Sequence, residues 1–359
     1  MMKQLFQLRN QQDIGMYNQM VLRFIADSND DVFCDNMALA VPKGPDTVFS
    51  TLETLKSELD EGWVTMPQET DVAVITGKVA GSGVFIYVSI KEYSEAVRFK
   101  IDVHANRTAV QHLMASYKKV LEAKRMALIK WWHQGRHGEE TRDFYLSKEG
   151  YVIHPEYYPD LNDPEKFLAD YMASDAAILL IAGPPGTGKT TLLRHLITEY
   201  KLCAHVIYDE KIMERDGPFQ QFLFGESDVH SPEILENEGT ELQRDVMIIE
   251  DADTVLLSRE RDNNKLMSRF LNISDGLIKL PNKKLIFTTN LADFGNVDSA
   301  LIRPGRCFAV VQMRNLDLTE ARAAARAAGR AEPFEKRSYS LAEIFNQGHT
   351  AQVRKVGFI

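Results

Sequence analysis

The sequence predicts an α/β fold: a parallel five-stranded sheet with helices on both faces and a small C-terminal helical lid, preceded by a separate α+β domain. Three observations carry this. From Ala176 onward, short apolar runs alternate with stretches of helical spacing, the pattern of a parallel sheet covered on both sides. One of these runs, 176–182, passes through a glycine-rich loop into a helix. Before residue 150 the β-rich runs lie close together, without that alternation. At 359 residues two domains are expected rather than one. The divisions fall at 1–150, 151–313 and 314–359, the last being the lid.

In chain order, Leu5, Leu8, Met16, Met20 and Phe24 share one helix face. Polar residues interrupt this start, so neither a signal-peptide core nor a membrane span is expected, and cytoplasm is the default location. Residues 71–90 form two β-rich runs around Gly81-Ser82-Gly83. A strand follows those glycines instead of a helix, which favours a hairpin over a phosphate loop. Residues 96–103 alternate as a third antiparallel strand. Residues 107–134 read as one long helix, with Val110, Leu113, Met114, Tyr117, Val120, Leu121 and Leu128 near one stripe.

Lys118, Lys119, Lys124, Arg125 and Lys130 decorate that helix, and Trp131-Trp132 follow. Basic residues beside tryptophans can grip nucleic acid or an acidic protein. A solvated helix face with a buried aromatic end explains them more simply. His133 and His137 have the spacing of helical metal ligands, but Gly135 and Gly138 break the helix and no third ligand follows, so zinc is not expected. Residues 138–163, rich in Gly, Pro, Tyr and charge, read as an interdomain linker. Its end, 154–161, precedes the next strand closely enough to cover an adenine. A short helix at 164–173 has Asp163 as cap and Pro164 at its first position.

The chain is organised around 176–191, AAILLIAGPPGTGKTT. A buried strand, the loop Gly183, Pro184, Pro185, Gly186, Thr187, Gly188, Lys189, Thr190, and a helix continuing from Thr191 are the three parts of a P-loop. The glycines let successive N–H groups point at phosphate oxygens, and the helix opening at Gly188 adds its positive end. Lys189 reaches the terminal phosphates, and the Thr190 hydroxyl suits Mg²⁺. ATP and Mg²⁺ are therefore the expected cofactors.

Further strands are expected at 204–209, 246–250, 284–289 and 308–312, and lid helices at 316–329 and within 340–346. The strand 246–250 ends in Glu250 and Asp251, with Asp253 just beyond. One carboxylate beside a P-loop steadies the magnesium and a neighbour orients or deprotonates the attacking water. Another buried strand ends at Asn290, which either closes a turn or touches the γ-phosphate or the water. In Asp298-Ser-Ala-Leu-Ile-Arg303-Pro-Gly-Arg306 a Pro-Gly turn holds two arginines. These pair with local acids or act on a neighbouring subunit's ATP as arginine fingers.

The ordered set GPPGTGKT, VMIIEDAD, LIFTTN and DSALIRPGR resembles the AAA+ ATPases, in their narrower AAA subgroup. In detail, IIEDADTVLLSRE and FLNISDGLI with SALIRPGR are most similar to the branch of mitochondrial Rieske-protein translocases. The resemblance covers about 160–330. It implies a homo-oligomeric ring, hexameric or in that branch heptameric, with ATP at subunit interfaces. By position it implies Thr190 and Glu250 at the metal, Asp251 and Asn290 at the water, and Arg303 and Arg306 acting from the next subunit. Most AAA proteins read Asp-Glu where this chain has Glu250-Asp251, an order the Rieske branch shares. That branch also carries an N-terminal membrane helix without counterpart here, so the membrane role does not carry over.

Such rings thread substrate past aromatic loops, and Phe222-Leu-Phe224-Gly225 has that character, although a helix end packing Phe222 and Leu223 inward explains it equally well. A net charge of −9 argues against a general nucleic-acid-coating protein. Cys34, Cys203 and Cys307 are few and far apart, which suits a reducing compartment rather than a disulfide framework. The leading expectation is an ATPase ring that remodels or translocates a macromolecule, protein before nucleic acid. The alternatives are a nucleic-acid motor or clamp loader, motivated by the basic helix and the arginines from Arg314 to Arg337, and a non-hydrolysing nucleotide-switch scaffold.

Overall fold

The computed structural model describes residues 13–346 apart from 29–30, 67–70, 123, 137, 148–151, 214, 225–244, 254–255, 257–269, 271–282, 292–296, 298 and 333–335. The chain forms two compact units, 1–126 and 127–359. The division falls after Met126, upstream of the expected position near 150.

In the first unit, α1 (Asp13–Asp27) is followed by β1 (Phe33–Pro42), α2 (Thr47–Ser57), β2 (Asp60–Thr65), β3 (Val72–Val79), β4 (Ser82–Glu92), β5 (Ala96–Ala105) and α3 (Arg107–Glu122). The strands make one antiparallel sheet in the order β1-β5-β4-β3-β2. Ala80 and Gly81 turn the β3–β4 hairpin, both at positive φ (48° and 83°), the geometry a two-residue hairpin needs. Alternation along the strands sends Ile75, Ile86, Phe99 and Ile101 to one face, where α2 and α3 cover them with Leu52, Leu55, Leu113 and Tyr117. The Tyr117 hydroxyl donates to Leu55 O at 2.8 Å, tying α3 to α2. On α1, Phe24 meets Phe85 with ring centroids 5.9 Å apart. Leu5 and Leu8, and the side chain of Met16, lie outside the described residues.

The long helix expected over 107–134 is two elements. Helix α3 stops at Glu122, and β6 (Ala127–Gln134) begins the second unit. Ile129, Trp131 and Trp132 prefer extended backbone, and burial alternates from Lys130 to Trp132. Lys130, expected on a solvated helix face, is buried and sits opposite Asp143 on β7 (Glu139–Leu146). The expected linker 138–163 therefore contains a strand. His133 lies on β6, so helical metal-ligand spacing does not apply to it, and His137 is outside the described residues.

Two 3-10 turns, Pro155–Tyr157 and Pro159–Leu161, lead to α4 (Pro164–Ala173), where the Asp163 carboxylate caps by accepting the Lys166 N–H at 2.9 Å. Then come β8 (Ile178–Ala182), α5 (Lys189–Glu199), β9 (Cys203–Ile207), α6 (Glu210–Met213), α7 (Asp216–Phe224), β10 (Asp245–Ile249), β11 (Lys283–Thr289) and β12 (Cys307–Gln312). Last are β13 (Leu316–Asp317), α8 (Leu318–Ala327), β14 (Ser338–Tyr339) and α9 (Leu341–Phe345). The five expected strands lie side by side and parallel as β12-β8-β11-β10-β9. Among the described residues the sheet has seven strands rather than five, because β6 adds parallel to β9 and β7 antiparallel to β6.

Strands β8, β9 and β10 are buried on both sides, apart from half-buried Asp245 at the start of β10, as a doubly covered sheet requires. One face packs on α5 through Leu192, Leu193, Leu196 and Ile197. The other packs Phe219, Phe222, Phe270 and Leu301. Helices α8 and α9 each open with a capping box, Asp317 with Glu320 and Ser340 with Glu343. Among the described residues no helix is long and apolar enough to cross a membrane.

Candidate functional site

Strand β8 delivers the glycine loop at the carboxyl end of the sheet. Gly183 (φ 151°) and Gly188 (φ 93°) hold conformations that strain other residues. At Gly183 space forbids a side chain as well, because a Cβ would run into the backbone oxygen of Met313. The loop's outer carbonyls are tied down. Tyr158 Oη donates to Gly188 O at 3.0 Å, and the Ala342 N–H at the start of α9 donates to Gly186 O at 3.0 Å. Carbonyl oxygens repel anions, so fastening these outward suits a loop that receives phosphate. Tyr158 belongs to the segment expected to cover an adenine. Beside it Tyr157 meets Phe345 of α9 edge to face, 5.2 Å between centroids.

At the mouth of the loop, Lys189, Asn290 and Asp251 form a chain. The Lys189 ammonium donates to Pro184 O at 3.2 Å and to Asn290 Oδ1 at 2.9 Å, and Asn290 Nδ2 donates to Asp251 Oδ1 at 2.9 Å. Burial lowers the Lys189 pKa, opposed by Asp251, Asp253 and Glu250. Asp251 has φ 52°, a left-handed conformation that Asp and Asn tolerate better than most residues, and its N–H donates to Thr288 Oγ1 at 3.2 Å. The Asp253 carboxylate accepts the Thr289 hydroxyl and, at 3.0 Å, the Asn290 N–H. It thereby fixes the backbone from which Asn290 projects.

Glu250 faces the other way. With Thr190 it lines a cavity of about 300 Å³ between α5 and the β6–β7 edge, to which Arg194 and Tyr208 also contribute. Burial raises the Glu250 pKa and Asp251 adds to that, while Arg194, Lys189 and a hydrogen bond from Tyr208 oppose it. A hydroxyl and a carboxylate at one edge of a phosphate loop are hard oxygen donors that suit Mg²⁺.

Arg303 and Arg306 sit elsewhere. Their turn, with Gly305 at φ 87°, precedes β12, and Ile178 at the start of β8 donates to Arg306 O at 3.0 Å. The five residues of β8 thus separate this turn from the chain's own loop, about 16 Å of strand. Arg303 is exposed, and Arg306 Nη1 donates to Ala300 O at 3.0 Å. Asp298 lies outside the described residues.

Phe222 does not present itself to a substrate. It is fully buried and meets His205 edge to face at 5.6 Å. Burial, with Lys130 and Lys283 nearby, pushes the His205 pKa down to about 3, so the ring is neutral and Nδ1 accepts the Trp132 N–H at 3.3 Å. Gly225 and the Phe224 side chain lie outside the described residues.

Sequence reasoning had not singled out Arg194, Tyr208 or the anchoring role of Asp253. Arg314, read from the sequence only among arginines that could meet nucleic acid, joins Asp160 (2.9 Å) to Glu320 (2.7 Å) and so ties the segment before α4 to α8. Arg194 was findable, one helical turn beyond Thr190 on the same face.

Residues 179–315 match the model of the ATPase family associated with various cellular activities (AAA). The chain is 30% identical over 161 residues to a proteasome-activating nucleotidase of Saccharolobus solfataricus, covering 43% of this chain and 38% of that protein. It is 29% identical over 135 residues to a 26S proteasome regulatory subunit 6B homolog of Encephalitozoon cuniculi, 36% of this chain and 32% of the relative. A putative cell division cycle ATPase of Plasmodium falciparum is 28% identical over 150 residues, 41% of this chain and 11% of the relative. The chain thus spans well under half the length of these relatives. Strand order, loop and family model agree that residues 179–315 make up a domain similar to the AAA ATPases.

Proposed function

We propose that the chain assembles as a homo-oligomeric ring, sixfold or sevenfold, and couples Mg-ATP hydrolysis to remodelling or translocation of a protein substrate. Its ATPase core belongs with the Rieske-translocase branch of the AAA proteins in this reading, supported by the Glu250-Asp251 order. The relatives named for proteasome activation support a protein substrate. The N-terminal unit selects that substrate, 314–359 serves as the lid over the nucleotide, and the cytoplasm is where the ring works.

The observation that carries this reading is the Lys189–Asn290–Asp251 chain at the mouth of the loop. In the proposed cycle the loop amides and Lys189 bind the β- and γ-phosphates, and Thr191 continues the helix whose positive end faces them. Asp251 and Asn290 hold the attacking water in line, and Asp251 takes its proton. Thr190 and Glu250 would hold Mg²⁺, which neutralises phosphate charge when bound. Arg303 and Arg306 act on the ATP of an adjacent copy, supported by the length of strand between them and their own loop.

A mixing experiment tests this. Asp251→Asn and Arg303→Ala/Arg306→Ala chains should each be nearly inactive alone. Mixed, they should regain ATPase activity, because some interfaces then pair an intact Asp251 with intact arginines. A mixture no more active than its parts would defeat the reading.

A further inference from the structure

The sheet of the N-terminal unit ends in two edges of different character. At one, β2 is six residues long, bulges between Asp60 and Trp63 and carries two acids, Asp60 and Glu61. Shortness, a bulge and charge are the devices that keep foreign strands off an edge. At the other, β1 pairs with β5 in unbroken register over its ten residues, Phe33–Pro42. Its one charged residue is Asp35, and its one proline stands last.

Hydrogen bonds show which groups β1 turns outward. Ala40 O accepts the Met126 N–H at 2.8 Å, so Ala40 directs its backbone away from β5. In an antiparallel ladder every second residue does the same, which sends the N–H and C=O of Cys34, Asn36 and Ala38 outward too. In agreement, the Asn36 N–H donates to the Asp35 carboxylate at 2.8 Å and not to a strand. Among the described residues no backbone partner meets these three on that side. Their side chains are short and exposed, which lets another backbone approach. Met126 thus forms the first rung of a line that stays open toward Cys34.

Side chains give this edge a chemistry. On the face covered by α2 and α3 it presents Phe33, Asp35 and Met37, and the two apolar ones pack at the margin of the core. Along 31–38 the acids are Asp31 and Asp35, with Asp102 across from Asn36. The cations are Lys100, across from Ala38, and Arg107, which stacks on the Phe33 ring 4.5 Å from its centroid. One negative charge is left over, and among the described residues Asp35 has no cation paired with it.

We propose that the outer side of β1 takes up an extended segment of the protein substrate as a sixth strand, with a lysine or arginine of that segment opposite Asp35. The proposal rests on the reading of the N-terminal unit as the part that selects substrate. Main-chain bonds to Cys34, Asn36 and Ala38 supply a grip that tolerates many sequences, and the alternate side chains beside Phe33, Asp35 and Met37 supply the preference. The favoured segment therefore reads apolar, basic, apolar at every second residue. Such a grip suits a locally unfolded chain, because a strand inside a folded protein already has partners.

The test is fluorescence anisotropy of the full chain with a fluorescein-labelled peptide, Thr-Val-Thr-Lys-Thr-Val-Thr. Binding is expected, and Ala38→Pro should weaken it by about tenfold or more, because a main-chain donor is lost. Proline is tolerated there, since the Ala38 N–H points away from β5, and unchanged ATPase activity checks the fold. A peptide N-methylated on the amides that face β1 breaks the same pairing without altering the protein, and should bind about tenfold more weakly or worse. Glutamate in place of the peptide's lysine should weaken binding as well. No binding at millimolar peptide, or equal binding by Ala38→Pro, overturns the proposal, and equal binding of the glutamate peptide overturns the pairing with Asp35. A dimer that grows with protein concentration and is lost in Ala38→Pro would give the edge to a second copy and overturn it too. The mixing experiment decides the ring mechanism independently: its failure with peptide binding intact removes that mechanism and leaves the edge as a binding site.

Discussion

Glu250 and Asp251 are neighbours in the chain and live in different surroundings. Glu250 is half-buried, with a raised pKa and a hydrogen bond from Tyr208. Asp251 is exposed, held by Asn290 and by a backbone bond to Thr288. A carboxylate in a confined site with a cation and a hydroxyl around it suits a fixed metal-side role. One at the open mouth, linked through Asn290 to Lys189, suits work on water and phosphate. In the proposed cycle two neighbouring acids take separate tasks because the strand end points them to opposite sides.

The largest expected effect breaks the Asp251 side. Asp251→Asn keeps a residue that tolerates φ 52°, so the fold and nucleotide binding should survive. Turnover should drop by about 10²–10⁴-fold, the range for loss of a general base. Phosphate release and nucleotide affinity, measured on the same sample, separate the two. A drop of less than about tenfold would move the catalytic duty to Glu250. Next comes Lys189→Ala. Loss of a charge-assisted contact of about 1.5–3 kcal/mol should weaken ATP binding by at least tenfold, read by calorimetry. Unchanged affinity would mean that Lys189 serves the Asn290 link and not the phosphates.

Most of the catalytic sheet was legible because its signals are local. Ile178–Ala182, Asp245–Ile249 and Lys283–Thr289 are short, mostly buried runs that lead directly into Gly183, Glu250 and Asn290. The β6–β7 hairpin was not legible. Its apolar residues continue the helical spacing of α3, and what makes it a strand is β9, some seventy residues further on, which supplies the backbone partners. The positions of Arg194 and Tyr208 escaped for a related reason. Neither belongs to a contiguous motif, and they meet Glu250 only because α5, β9 and β10 converge there. The Lys189 side of the site could be read along the chain, whereas the Glu250 side is a product of packing.

The smallest expected effect sharpens the contrast between the carboxylates through pH. In the proposed cycle Glu250 would hold Mg²⁺ as a carboxylate, and its pKa is raised, so magnesium-dependent nucleotide binding should weaken as pH falls toward that raised value. Tyr208→Phe removes a hydrogen bond that lowers the Glu250 pKa. The acid limb should therefore move to higher pH, with only a few-fold loss at neutral pH, about 0.5–1.5 kcal/mol for one hydrogen bond. Asp251→Asn removes a neighbouring negative charge that raises the same pKa, so its acid limb should move to lower pH. Titrating fluorescent Mg-nucleotide binding in both variants gives shifts of opposite sign. Shifts of the same sign would mean that binding follows some other ionisation, and the division of labour between the two acids would fail with it.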